Sequence, residues 1–79
     1  MTLTIPVVIA RRMEISARNQ LKGKVKRVKP GAVMSEVVVD VGGQEIVSMI
    51  SMASVERLGL KAGDSVVAII KATEVMIGK

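Results

Sequence analysis

The sequence predicts a small all-β domain with one short helix, in which five strands form a closed or nearly closed barrel. Three observations carry this prediction. Apolar and polar residues alternate along several short stretches, as they do in strands that bury one face. Turns that contain Gly or Pro separate these stretches, and a single stretch has the three- to four-residue spacing of a helix.

A loose period of two marks the first predicted strand, which runs from Gln20 to Val28. Because successive side chains of a strand point to opposite faces, one face of this strand is expected to be basic. Pro30-Gly31 then predicts a turn. The alternation assigns Leu21, Gly23, Val25 and Arg27 to one face and Lys22, Lys24, Lys26 and Val28 to the other.

The next two strands are predicted to form a hairpin. In the stretch from Val33 to Val41, valines alternate with Glu36 and Asp40, and Gly42-Gly43 supplies the positive φ angles of a two-residue turn. Glu45 to Ile50 returns as the third strand. The first three strands are therefore expected to form a meander.

A helix of about two turns is predicted from Ser51 to Leu58, because its apolar residues have helical spacing. Ser51 is available as its N-cap, and Gly59 follows as the residue that ends it. Ser65 to Lys71 and Glu74 to Ile77 supply two more strands. Five strands and one short helix are typical of the oligonucleotide/oligosaccharide-binding (OB) type of barrel.

The composition predicts oligomerisation. A domain of 79 residues buries only roughly 60% of the surface of its unfolded chain, so its own core is marginal. The chain has no Cys and no His, which removes disulfides and the commonest transition-metal ligands as sources of stability. Its hydrophobic fraction of 49% contains no aromatic residue, and so much aliphatic surface favours an interface between subunits.

The net charge of +5 favours anionic partners, which include nucleic acid, membrane lipid and small oxyanions. No apolar run approaches the length of about 20 residues that crosses a bilayer. Arg11 and Arg12 follow the short apolar run from Ile5 to Ala10, whereas a signal peptide has its basic residues first. We therefore expect a cytoplasmic protein without a membrane partner.

Residues 1–12 differ from the rest of the chain, since Pro6 interrupts a β-branched run before the basic pair. We interpret them as an N-terminal extension of a domain that covers residues 13–79. The extension is either an extra edge strand or a non-native leader, from an upstream start codon or an expression vector, ahead of Met13. The sequence leaves both alternatives open.

Two segments combine hydrogen-bond donors without any carboxylate: Ser16 to Gly23, and the tripeptide Lys71-Ala72-Thr73. A tetrahedral dianion presents only acceptors, so its site needs N–H and O–H donors and no acid to repel it. Arg18 and Lys71 meet this need, since charge-assisted hydrogen bonds contribute about 1.5–3 kcal/mol each. The competing interpretation is that both cations are solvated charges at strand ends.

Ser51 and Ser54 offer further donors at the start of the predicted helix. Helix N-termini present free N–H groups and a dipole that favours anions. The alternative is that Ser51 simply caps the helix. Capping and anion binding are compatible.

The segments SARNQLKGKV, EVVVDVGG and SMISMASVERLGLKAGDSVVAIIKATEVMIG resemble the Mop or TOBE domain of molybdate-binding proteins, in particular the single-domain molbindins. The resemblance spans Glu14 to Gly78. It implies a five-stranded OB-like barrel that exchanges strands with a second copy, and dimers that assemble into a hexamer. It also implies that molybdate or tungstate is held between subunits for intracellular storage, buffering or delivery, without catalysis and without a cofactor.

The resemblance also assigns the oxyanion site, position by position. One subunit is expected to supply Ser16, Arg18, Asn19, Lys71 and the main-chain amide of Ala72. The other subunit is expected to supply Ser51 and Ser54. Some family members have a hydroxyl residue where Ala72 stands, and a Thr can occur where Val47 stands, so this chain departs from them at both positions.

Three other functions fit the sequence less well. The basic strand could follow the phosphates of nucleic acid, but single-strand binders of this fold stack bases on aromatic side chains, which this chain lacks. An enzyme is not indicated, because the chain has no His, no Cys and no evident pair of nucleophile and base. A soft-metal site is not indicated either, because the methionines are explained more simply as residues that fill the core. These are Met34, Met49, Met52 and Met76.

Overall fold

The computed structural model describes residues 14–79, so the extension predicted at residues 1–12 lies outside the described part. The described chain forms one antiparallel sheet of four strands in the order β3-β2-β1-β4. A short helix, α1, connects β3 to β4, and a 3-10 turn follows β4. The elements are β1 (Asn19–Lys29), β2 (Met34–Val41), β3 (Gln44–Ser51), α1 (Met52–Leu58), β4 (Ser65–Ile70) and the 3-10 turn (Ala72–Glu74).

Strand β1 lies at the centre of the sheet because it pairs with two strands along different parts of its length. Its first part, residues 19–24, pairs with β4, and residues 24–29 pair with β2. Strands β2 and β3 pair in continuous register, from Met34 opposite Ser51 to Val41 opposite Gln44. The meander of three strands and the hairpin at Gly42-Gly43 are therefore confirmed.

An irregularity in the middle of β1 changes which side chains face the core. Val25 pairs with Val39, but Arg27 pairs with the residue directly before Val39, so Lys26 is the extra residue of a β-bulge. Beyond the bulge, Val28 packs against the core and Arg27 is exposed. The loose alternation predicted for this strand is therefore wrong after Lys26.

Local capping fixes both ends of α1. The hydroxyl of Ser51 accepts a hydrogen bond from the main-chain N–H of Ser54 at 3.1 Å, as an N-cap does. Gly59 has a left-handed conformation with φ of 62°, which a residue without a Cβ adopts at little cost, and the helix ends there. The predicted helix is confirmed, with Ser51 as its cap.

The core is small and aliphatic. It consists of Val25, Val37 and Val39 of the sheet together with Val55 of α1, each no more than 5% exposed. An apolar groove of about 370 Å³ continues from this core. Side chains of both edge strands, β3 and β4, line the groove, so the sheet is curled and the two edges face each other across it.

The C-terminal segment does not form the predicted fifth strand within the described chain. A strand is expected from Glu74 to Ile77, but the chain enters the 3-10 turn after Ile70, and residues 75–79 belong to no strand. The side chains of Met76 and Ile77 are 91% and 90% exposed. The barrel is therefore open in the single chain, because this segment does not close it.

Several large aliphatic side chains are exposed in addition to this segment. Met34 and Met49 lie on β2 and β3 with 45% and 58% of their surface exposed. The core role predicted for the methionines therefore holds only for Met52, which packs against the valine core. The other exposed aliphatic residues are Ile15, Val33, Val47, Leu58, Ile69 and Val75.

Candidate functional site

The two donor segments recognised in the sequence lie on opposite sides of one cleft. The cleft has a volume of about 430 Å³. The chain that leads into β1 forms one wall, and the chain that leaves β4 forms the other. The lining residues are Ser16, Ala17, Arg18, Asn19, Lys71, Ala72 and Thr73.

The pairing of β1 with β4 places these walls together. The two strands are antiparallel, and Asn19, the first residue of β1, is opposite Ile70, the last residue of β4. Residues that precede Asn19 and residues that follow Ile70 therefore leave the sheet at the same end. The side-chain amide of Asn19 adds a hydrogen bond to the carbonyl oxygen of Ile70 at 3.2 Å.

The 3-10 turn shapes the second wall. The N–H of Glu74 donates to the carbonyl of Lys71 at 2.9 Å, and the N–H of Val75 donates to the carbonyl of Ala72 at 3.4 Å. These two bonds hold the turn without using the N–H of Ala72. Ala72, whose amide the resemblance assigns to the oxyanion site, lines the cleft.

The lining is positive and contains no acid. Arg18 and Lys71 are exposed, and the ion pairs found within residues 14–79 involve neither of them but Lys26, Arg27 and Lys61. The remaining lining side chains include two hydroxyls and one amide. The cleft therefore offers donors from several directions to an anion and no carboxylate to repel it.

Ser51 and Ser54 do not line this cleft. They lie at the junction of β3 and α1, where the hydroxyl of Ser51 lies 2.9 Å from that of Ser54 and donates to it. Because one hydroxyl proton is used inside the pair, one remains for an outside acceptor. Within one chain, the predicted site residues thus form two separate groups.

Thr73 and Ala17 line the cleft although the resemblance gives them no role. Ala17 lies between two predicted site residues, so its presence follows from chain continuity. Thr73 directly follows Ala72 in the donor segment, and its hydroxyl is a chemical signal visible in the sequence.

Part of the basic surface of β1 is neutralised by an acid of β3. Glu45 of β3 forms ion pairs with Lys26 at 2.5 Å and with Arg27 at 3.6 Å. The hydrogen bond from Lys26, its charge and the nearby Arg27 together lower the pKa of the Glu45 carboxyl. Lys24 is opposite Asp40 and Lys29 is opposite Glu36 in the strand register, but neither couple forms an ion pair within residues 14–79. The pairing of Lys26 and Arg27 with Glu45 weakens the case for a nucleic-acid interface.

Acidic clusters and long apolar helices are not found in residues 14–79. Residues 14–79 contain no group of three or more Asp or Glu side chains placed to hold a metal ion. In the same part of the chain, no helix has the length and apolar character that crossing a bilayer requires.

Comparison with known proteins identifies the family. The family model described as the TOBE domain matches residues 15–77. The chain belongs to the TOBE domain family. Among curated TOBE relatives, molybdenum-pterin-binding protein 3 of Clostridium pasteurianum is 56% identical over 66 residues, which cover 82% of this chain and 97% of the relative.

Solved structures of similar TOBE proteins have the same fold. MopII from Clostridium pasteurianum matches with a TM-score of 0.79 and 54% identity, covering 84% of this chain and 100% of that chain. A molybdate-binding protein from Sporomusa ovata matches with a TM-score of 0.81 and 45% identity, covering 85% of this chain and 100% of that chain. The resemblance recognised in the sequence is therefore confirmed at the level of family and fold.

Proposed function

We propose that this chain binds molybdate or tungstate and stores, buffers or delivers the oxyanion, without catalysing a reaction. The observation that carries the proposal is the acid-free cleft that Arg18 and Lys71 both line. The relative from Clostridium pasteurianum is named for binding molybdenum-pterin, and the one from Sporomusa ovata is described as binding molybdate. The ligands named for these relatives therefore agree with the chemistry of the cleft in this chain.

The cleft requires a further wall to enclose its ligand, because its lining comes only from the chain around the start of β1 and the chain after β4. In the proposed site, the partner subunit's Ser51 and Ser54 close the cleft. The free hydroxyl proton of that pair supplies the extra donor.

The proposed dimer completes the barrel by exchange of the C-terminal segment. Val75, Met76 and Ile77 are exposed in the single chain, and the groove between β3 and β4 is apolar and open. Burial of such a segment in such a groove contributes about 25 cal/mol per Å² of apolar surface. Three such dimers then form the hexamer, and the protein works in the cytoplasm.

The lining without a carboxylate predicts selectivity among tetrahedral anions. Hydrogen phosphate carries a proton near neutral pH and is best matched by a charged acceptor, whereas molybdate, tungstate and sulfate need none. Phosphate is therefore expected to bind weakly. The relative affinity for molybdate, tungstate and sulfate is set by the width of the closed cleft.

The test is calorimetric titration of the full chain with molybdate, tungstate, sulfate and phosphate, beside a salt-matched titration with single-stranded DNA. The wild type is expected to bind molybdate or tungstate with a dissociation constant of about 1 μM or lower. Arg18→Ala and Lys71→Ala should each weaken binding roughly tenfold to a hundredfold, since each removes one charge-assisted donor.

Lys22→Ala is the matched control, because it removes the same charge from an exposed position on β1 that does not line the cleft. It should bind like the wild type. No tight oxyanion binding by the wild type, or equal loss in all three variants, contradicts the proposed site. Sedimentation with and without molybdate tests the assembly, and a strict monomer in both conditions excludes a site shared by two subunits.

A further inference from the structure

Thr73 occupies the middle of the 3-10 turn and lines the oxyanion cleft together with Arg18 and Lys71. We infer that the Thr73 hydroxyl is a direct oxyanion ligand that sets affinity at this site. The inference rests on the proposed function, and it adds a residue that the family resemblance does not assign.

The wall of the cleft that follows β4 offers one side-chain hydroxyl. Ala72 has a methyl group and can donate only through its main chain, whereas the next residue, Thr73, carries a hydroxyl and lines the same cleft.

The hydroxyl is available for a ligand. Within residues 14–79, the side chain of Thr73 makes no hydrogen bond to another protein group. A hydroxyl with a purely structural role at a turn would instead bond a nearby main-chain group. Thr73 is exposed in the single chain, so an anion can reach its oxygen.

The backbone around Thr73 is held before any ligand binds. The turn is fixed by the bonds from Glu74 to Lys71 and from Val75 to Ala72. A β-branched side chain also has few χ1 rotamers, so the hydroxyl loses little freedom when it bonds an anion. A donor held in this way favours binding more than a mobile one.

The experiment compares Thr73→Val with Thr73→Ser by titration with molybdate, together with the melting temperature of each unliganded protein. Val keeps the shape and removes the hydroxyl, so molybdate affinity should fall about tenfold, equivalent to about 1.4 kcal/mol. Ser keeps the hydroxyl and should bind within about threefold of the wild type. Melting temperatures without ligand should be the same for all three proteins.

A second variant tests whether a hydroxyl at position 72 can replace the one at position 73. Ala72→Ser in the Thr73→Val background should recover most of the lost affinity. Wild-type affinity in Thr73→Val overturns the inference, and so does an equal loss in Thr73→Val and Thr73→Ser with a lower melting temperature, which indicates a structural role. Failure of the wild type itself to bind any oxyanion instead contradicts the proposed function.

Discussion

The side-chain amide of Asn19 donates a hydrogen bond to the main-chain carbonyl of Ile70 at 3.2 Å, and 51 positions of the chain separate the two residues. This bond joins the two walls of the cleft where β1 begins and β4 ends. An amide nitrogen carries two protons, so Asn19 holds the walls together with one and can offer the second to the proposed ligand. In the proposed site, Asn19 thus partly serves to position Arg18 and Lys71.

Asn19→Ala is expected to lower both stability and affinity. Loss of one hydrogen bond should reduce the free energy of unfolding by about 1 kcal/mol, and the loosened walls should weaken molybdate binding roughly tenfold. Urea unfolding without ligand and calorimetric titration measure the two effects. Asn19→Asp should bind more weakly still, because it places a carboxylate in the cleft, and an Asp variant that binds as well as Ala would contradict the electrostatic account.

Ser51→Ala and Ser54→Ala should differ in their effect on stability. Ser51 is the N-cap of α1, so its loss should cost about 1 kcal/mol of unfolding free energy. Ser54 accepts one hydroxyl bond and caps nothing, so Ser54→Ala should cost less in the absence of ligand. Thermal unfolding of both variants checks the order. The reverse order would show that the Ser54 hydroxyl, not the Ser51 cap, stabilises this junction.

Gly23→Ala should destabilise the sheet. A Cβ at Gly23 would meet the carbonyl oxygen of Asp40 and would lie 2.9 Å from Val39 Cγ1 and 3.0 Å from Val41 Cγ2. Strands β1 and β2 would have to separate, at a cost of roughly 1–3 kcal/mol. Gly78→Ala is the matched control, since nothing lies within 4 Å of its Cβ. Equal midpoints of urea unfolding for the two variants would disprove the close approach.

Glu45 should make the protein less stable in acid. Its pKa in the folded state is lowered from the ordinary value of 4.5, mainly by the hydrogen bond and charge of Lys26. A carboxyl with a lowered folded pKa stabilises the fold above its unfolded pKa, and this contribution is lost as the pH falls through the folded value. The ion pairs are exposed, so the effect should be small and weaker in high salt.

The measurement for Glu45 is the midpoint of urea unfolding from neutral pH down to about pH 3, where the linkage is lost. Glu45→Gln should show a smaller decline than the wild type over this range. Glu36→Gln, which removes an acid that forms no ion pair within residues 14–79, is the control and should decline like the wild type. A decline in Glu45→Gln as steep as in the wild type would remove Glu45 as the cause.

The parts of the fold that the sequence predicts well depend on neighbouring residues. The helix was predictable because Ser51 and Gly59 cap it within a single short segment. The hairpin at Gly42-Gly43 was predictable because both glycines have positive φ, of 58° and 90°. The bulge at Lys26 was not predictable. It is a shift in the register between β1 and β2, and the side-chain pattern of one strand does not determine the register with its partner.

The candidate site was also predictable only in part. The sequence identified Arg18 and Lys71 as donors. That they line the same cleft could not be read from it, because the antiparallel pairing of β1 with β4 joins residues far apart in the chain. The role of Asn19 in holding Ile70 was also invisible, because the sequence does not say which amide proton is already used. The predicted strand at Glu74 to Ile77 failed for a related reason, since a strand exists only beside a neighbour.

The bulge in β1 makes the strand tolerant of the loss of one residue there. Removal of Lys26 would leave Val25, Arg27 and Val28 opposite Val39, Val38 and Val37 without an extra residue, so both faces of the strand would keep their present orientation. Removal of Arg27 would place Lys26 opposite Val38 with the same result. Removal of a residue away from the bulge would turn one section of the strand over. Shorter relatives of this protein are thus expected to have lost a residue at Lys26 or Arg27.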